Sequence, residues 1–330
     1  MKKIFALLLS AALLVTLLAA CGGGNTTDTD TDTQEPAADA STTQVEEQEP
    51  DTGDASKDDP LNQDEIGEKE LLVVSFGTSY NDSRRETIGA IEKAMQTAFP
   101  DYSVRRAFTS QIIIDHVKDR DGVTIDNVEQ ALERAVNNGV KTLVVQPTHL
   151  MNGLEYEELT DELAKYSDSF EKIAIGDPLL TSAADFEAVM TAITDATKDA
   201  ADGKTAICFM GHGTTADSNS VYSKMQTLLT DKGFNDYYVG TVEATPSLDD
   251  VLAAVQKGNY EKVILRPLMI VAGDHANNDM AGDEDDSWKS TFEKAGYTVD
   301  CQVEGLGQLE AIQQLFVEHA KAAVASAEAE

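Results

Sequence analysis

Short apolar runs alternate with longer amphipathic runs from Leu71 to the end of the chain, and this alternation limits the fold more than any other feature. Several short runs, such as residues 71–76 and 205–210, are apolar on consecutive positions, as expected for strands that are covered on both faces. Strands that alternate with amphipathic helices indicate an α/β fold with largely parallel sheets.

The pattern also predicts where each element lies. Strands are predicted at residues 71–76, 103–107, 142–146, 172–175, 205–210, 237–242, 262–266 and 297–302. Helices are predicted at residues 83–98, 110–120, 127–138, 155–166, 183–200, 220–231, 248–255, 285–295 and 308–325.

Three pairs of similar segments occur in the same order along the chain, which indicates an internal duplication. The pairs are residues 74–78 with 210–214, 104–110 with 239–245, and 144–148 with 264–268. We therefore predict two similar doubly wound parallel-sheet halves, residues 70–200 and 201–330. The cleft between the carboxyl ends of their strands is the usual ligand location in such sheets.

The N-terminus has the features of an export signal. Lys2 and Lys3 precede an apolar stretch, residues 4–20, that is short for a membrane span. The segment Leu-Ala-Ala-Cys at residues 18–21 resembles a bacterial lipobox. Residues 1–20 are thus predicted to be a signal peptide, and Cys21 is predicted to carry a lipid. The lipid would anchor the exported protein to the outer face of the cytoplasmic membrane; a periplasmic location is the other option. The alternative is an ordinary cleaved signal followed by a chance cysteine.

Residues 21–69 are rich in acidic and small polar residues and contain no aromatic residue. Such a segment buries too little apolar surface to offset its chain entropy, so we predict a disordered acidic tether. The net charge of −34 argues against nucleic acid and anionic lipid as partners.

Histidine and glutamate follow three consecutive predicted strands of the second half. They are His212, between two glycines, then Glu243 and His275. Two imidazoles and a carboxylate suit a divalent first-row metal such as Co²⁺, Fe²⁺, Ni²⁺ or Zn²⁺. Their wide spacing in sequence is not diagnostic, so the alternative is a polar cleft with unrelated hydrogen bonds. His116 and His319 lie in predicted helices and are expected to have no role in the site.

Several segments closely resemble the anaerobic cobalt chelatase family of early-insertion cobalamin synthesis, a class II chelatase family related in fold to protoporphyrin ferrochelatase. They are LLVVSFGTSY (71–80), RRAFTS (105–110), QPTH (146–149), MGHGT (210–214), GTVE (240–243) and AGDHANNDMAGDEDDSW (272–288). The resemblance covers about residues 70–320. It implies insertion of Co²⁺ into sirohydrochlorin without a nucleotide, with His212, Glu243 and His275 as metal ligands and catalytic residues.

The resemblance also implies how a tetrapyrrole would bind. The macrocycle would lie in the cleft, and His212 would hold the metal and accept a pyrrole proton. Because sirohydrochlorin carries eight carboxylates, cationic groups should line the cleft. Arg84, Arg105 and Arg106 are predicted to bind substrate together with His149, and surface ion pairs are the alternative for the arginines.

Export is unusual for an enzyme of a cytoplasmic pathway, so other functions stay open. The main alternative is a surface lipoprotein that captures haem, another tetrapyrrole or metal ions for uptake. A solute-binding protein for a sugar or amino acid would also fit two lobes. A homo-oligomeric state is compatible with the sequence.

Overall fold

The computed structural model describes residues 51–64 and 66–329. Within them lie two four-stranded sheets whose strands all pair in parallel. The first sheet has the order β2-β1-β3-β4 and contains β1 (Lys69–Ser75), β2 (Ser103–Phe108), β3 (Thr142–Pro147) and β4 (Lys172–Ile175). The second has the order β6-β5-β7-β8 and contains β5 (Thr205–Gly211), β6 (Tyr237–Thr241), β7 (Lys262–Pro267) and β8 (Thr298–Cys301). The predicted fold of two similar parallel-sheet halves is confirmed.

Helices lie between the strands at the predicted places, with one difference. They are α1 (Asn81–Glu86), α2 (Ile88–Ala98), α3 (Gln111–Asp121), α4 (Val128–Asn137), α5 (Leu154–Ala164), α6 (Ala183–Thr197), α7 (Ser220–Asp231), α8 (Leu248–Val255), α9 (Trp288–Lys294) and α10 (Glu310–Ala329). The single helix predicted at residues 83–98 is two helices that meet at Thr87. The hydroxyl of Thr87 donates to the carbonyl oxygen of Ser83, a bond that bends helices.

The two sheets share one hydrophobic core. Leu71 and Val73 of β1 lie in the same buried cluster as Ile207 and Phe209 of β5. Side chains alternate across a strand, so the other face of each sheet packs into a separate cluster of its own half. The last helix, α10, contacts β3 and β4 of the first sheet. The boundary between residues 200 and 201 stays a prediction.

The segment of residues 51–64 packs on the first half through a buried ion-pair network. The carboxylate of Asp58 lies 2.6 Å from Nε of Arg84 and 2.7 Å from Nη1 of Arg106. Arg106 also pairs with Glu92 at 2.6 Å, and no side chain in this network is more than 3% exposed. The prediction that residues 21–69 form a disordered tether is therefore wrong for the part that the structure describes, because Asp58 neutralises buried arginines.

The predicted signal peptide and Cys21 lie outside the described residues. Within residues 51–64 and 66–329, no helix is both long and apolar enough to cross a membrane.

Candidate metal centre

The structure brings His212, Glu243 and His275 together at one edge of the second sheet. One ligand atom from each side chain lies within 4.8 Å of those of the other two. The two imidazole rings are 4.7 Å apart between centroids, and Nε2 of His212 is 3.9 Å from Oε1 of Glu243. The carboxyl ends of parallel strands lie at one edge of a sheet, which is why three distant residues meet here.

Main-chain pairing beyond the ends of β5 and β6 places two of these residues side by side. The amide of Glu243 donates to the carbonyl oxygen of His212 at 2.9 Å. Close packing requires the glycines on either side of His212. A Cβ on Gly211 would lie 2.1 Å from the ring of Tyr222, and Gly213 has a φ of +90°.

Hydrogen bonds orient both imidazoles. Nδ1 of His212 lies 2.8 Å from the carbonyl oxygen of Gly213, and Nδ1 of His275 lies 2.7 Å from Oδ2 of Asp279. Since a carbonyl and a carboxylate only accept, the neutral form of each ring carries its proton on Nδ1 and offers the lone pair of Nε2 to a metal. His275 immediately precedes a π-helical turn, Ala276–Met280, which puts Asp279 within reach of its ring.

The centre is open to solvent and its donors suit a metal. The side chains of His212, Glu243 and His275 are 49%, 56% and 32% exposed. Bonds of about 2.1 Å to one ion would hold neighbouring ligand atoms roughly 3–4 Å apart, so small side-chain rotations complete the site. Three protein ligands leave coordination positions open for a further ligand, as in catalytic metal sites.

The structure corrects the prediction that three arginines bind substrate. Arg84 and Arg106 are buried and paired with Asp58, so neither guanidinium group can reach a ligand in solution. Arg105 is also buried, with Nη1 3.5 Å from Oε1 of Gln63. The strand start is as predicted and the helix begins two residues earlier, at Asn81, but these side chains point into the protein, where carboxylates balance their charge.

His149 follows β3 and lies at the carboxyl edge of the first sheet. Both its ring nitrogens are buried and have no hydrogen-bond partner in the part of the chain that the structure describes. Burial lowers the pKa of His149 to about 4, although the charge of nearby Glu155 acts in the opposite direction. His149 is therefore neutral at pH 7, and its contact with substrate stays a prediction.

The sequence model of the cobalt chelatase (CbiK) family matches residues 69–325, which include the whole metal centre. The protein belongs to the cobalt chelatase family. A sirohydrochlorin cobaltochelatase of Salmonella typhimurium is 38% identical over 251 residues, covering 76% of this chain and 94% of that relative. The sirohydrochlorin cobaltochelatase CbiKC of Nitratidesulfovibrio vulgaris is 30% identical over 260 residues, covering 78% and 91%. The predicted family is confirmed.

The fold is also similar to that of a more distant protein. SirB from Bacillus subtilis, solved with Fe³⁺, superimposes with a TM-score of 0.57 at 14% identity, covering 80% of this chain and 98% of SirB. At this identity, the similarity concerns the fold alone.

Asp279 should matter for metal binding in this cobalt chelatase family member because it orients His275. Asp279→Ala should weaken Co²⁺ binding about tenfold or more, as expected when the group that orients a ligand is removed. Titration calorimetry with Co²⁺ measures the effect. The matched control is Asp283→Ala on the same loop, since Asp283 is 93% exposed and pairs with Lys289. Equal Co²⁺ affinity in the two variants would contradict the orienting role.

Proposed function

We propose that this protein inserts Co²⁺ into sirohydrochlorin without a nucleotide. The observation that carries the proposal is the cluster of His212, Glu243 and His275, whose ligand atoms lie within 4.8 Å of one another. It occurs in a chain that is 38% identical to a sirohydrochlorin cobaltochelatase over 251 residues.

The three side chains would bind Co²⁺ as substrate and pass it to the macrocycle. His212 and His275 donate through Nε2, and the carboxylate of Glu243 lowers the net charge of the bound ion. The open positions accept pyrrole nitrogens, so bonds to the macrocycle can form before those to the protein break. The same donors would also accept Fe²⁺, Ni²⁺ or Zn²⁺.

Two N–H protons must leave the macrocycle as the metal enters. Nε2 of His212 cannot hold a metal and a proton together, so it becomes a proton acceptor as Co²⁺ leaves it. The carbonyl oxygen of Gly213, 2.8 Å from Nδ1, stabilises the resulting imidazolium by accepting its other N–H. His212 therefore acts as ligand first and then as base for one of the two protons. The second proton passes to solvent water, which reaches the open centre.

A turnover assay tests the proposed function. Purified protein is mixed with an excess of sirohydrochlorin and Co²⁺, and the absorbance of the metallated product is followed. An enzyme forms many product molecules per protein chain. Conversion that stops at one per chain would support the alternative of a surface lipoprotein that captures tetrapyrroles or metal ions, which family membership does not favour.

We also propose that the protein is exported and anchored through a lipid on Cys21. The support is the apolar segment of residues 4–20 and the lipobox-like sequence before Cys21. Cys21→Ser should abolish labelling by a fatty-acid analogue in cells and release the protein from the membrane fraction, whereas Cys301→Ser should keep both. Lipid labelling that persists in Cys21→Ser would contradict the assignment.

A further inference from the structure

The carboxyl edge of the first sheet repeats the backbone of the metal centre with different side chains. At the end of β5 the amide of Glu243 donates to the carbonyl oxygen of His212 at 2.9 Å. At the end of β1 the amide of Ser110 donates in the same way to Phe76 at 3.2 Å. Phe76 and His212 are each followed by a glycine with positive φ, 103° and 90°. Phe76 and Ser110 therefore occupy the places of His212 and Glu243. The strand register agrees, since Ser75 pairs with Phe108 and Gly211 with Thr241, and it shows that the sequence pairing of residues 104–110 with 239–245 was off by two.

The third ligand has a counterpart as well. The carbonyl oxygens of Gly153 and Gly273 each accept a hydrogen bond from the amide four residues later, at 3.0 and 3.1 Å. Glu155 and His275 each come two residues after that glycine. The first half thus presents phenylalanine, serine and glutamate where the second presents its metal ligands. One carboxylate among three such side chains does not make a metal site.

The two edges face each other through reciprocal contacts. The loop after β7 meets the residues after β1, since a Cβ on Gly273 would lie 3.0 Å from Oγ1 of Thr78. The loop after β3 meets the residues after β5, since a Cβ on Gly153 would lie 3.4 Å from Oγ of Ser218. In each half, the loop after the third strand thus contacts the residues after the first strand of the other half. Phe76 and His212 therefore lie at matching places on opposite sides of one cleft.

The first edge is also unusually apolar for an exposed surface. Phe76 is 49% exposed, Ile112 83% and Leu154 54%. One of them follows each of β1, β2 and β3, which end at the same edge. The remaining exposed large hydrophobic residue in the described ranges is Val136, on α4, at 39%. Exposed apolar groups grouped at a cleft are typical of a binding surface.

We propose that Phe76, with Ile112 and Leu154 at the same edge, forms an apolar platform for one face of a flat conjugated macrocycle, opposite the metal ligands. The inference rests on the proposed function, which supplies sirohydrochlorin as the macrocycle. Stacking on Phe76 holds one face of the ring, so that the other presents its nitrogens to His212, Glu243 and His275. Phe76 is then a substrate-binding residue that does not touch the metal.

The test separates binding of the macrocycle from binding of the metal. Phe76→Ala in the full chain should raise the Kd for metal-free sirohydrochlorin about tenfold, from lost apolar and stacking contact. The Kd for Co²⁺ alone should change less than about twofold, because no metal ligand is altered. Phe76→Trp keeps an aromatic face and should bind sirohydrochlorin as the wild type does. Val136→Ala, which removes an apolar side chain that is 39% exposed on α4, is the control.

Each outcome bears on one proposal or on both. Unchanged sirohydrochlorin affinity in Phe76→Ala would overturn the platform, even if the wild type inserts cobalt. A wild type that binds sirohydrochlorin without metallating it would refute the proposed function alone, and the Kd of Phe76→Ala would still decide on the platform. A wild type that does not bind sirohydrochlorin would overturn both. If Val136→Ala raised the Kd for sirohydrochlorin as much as Phe76→Ala does, the platform would be overturned.

Discussion

His212→Ala should lower the rate of cobalt insertion about a thousandfold, even at saturating Co²⁺, because it removes a metal ligand and a proton acceptor together. The loss should appear in kcat as well as in the Co²⁺ concentration required. Steady-state assays with sirohydrochlorin and varied Co²⁺ measure both. A folded His212→Ala protein that inserts cobalt at the wild-type rate would refute the proposed mechanism.

The other two ligands should behave differently from His212. Glu243→Gln keeps the side-chain shape but loses the negative charge, so it should mainly raise the Co²⁺ concentration required. His275→Ala should do the same with a larger loss of rate. His116→Ala, on the exposed face of α3, is the control and should match the wild type. Circular dichroism should show that all variants are folded, because the exposed side chains of the metal ligands contribute little to the hydrophobic core.

Asp58→Ala should lower the free energy of unfolding by about 3–5 kcal/mol, because it leaves Arg84 and Arg106 buried with one carboxylate fewer. Burial alone would raise the pKa of Asp58, but Arg106 and Arg84 outweigh this and hold the pKa below its usual value. The contribution is therefore present at neutral pH and is lost only as the pH falls below the usual range of an aspartate. Urea denaturation at pH 7 measures it.

Truncation tests the same network. A chain that starts at Gly67 lacks Asp58 and should melt about 10 °C below one that starts at Asp51, given the usual relation between unfolding free energy and melting temperature. A disordered tether, as the composition predicted, would give no difference in melting temperature. Asp54→Ala is the matched control, because Asp54 lies on the same segment and is half exposed. If the two chains have the same melting temperature, the buried network does not stabilise the fold.

Local sequence was enough to predict the elements and to place three candidate metal ligands at one edge of the second sheet. Consecutive apolar residues in runs such as β1 and β5 predicted strands covered on both faces, and parallel strands end at a common edge. That rule alone brought His212, Glu243 and His275 to one place, although at least thirty residues separate each from the next along the chain. The glycines beside His212 indicated that another group approaches the backbone closely. In the structure, the ring of Tyr222 packs against Gly211 and leaves no room for a Cβ.

The environment of the charged and aromatic side chains was decided by tertiary structure alone. Nothing near Arg84 or Arg106 in sequence marks them as buried, because their partner, Asp58, lies in an acidic segment whose composition indicates disorder. The exposure of Phe76 likewise depends on the cleft that the second half forms opposite it. The sequence around Phe76 has the pattern of an ordinary strand end. The pattern of apolar residues reflects interactions among neighbours in sequence, so it can be recognised from the sequence alone. Ion pairs and clefts join residues that are distant in sequence, and only the folded backbone brings these together.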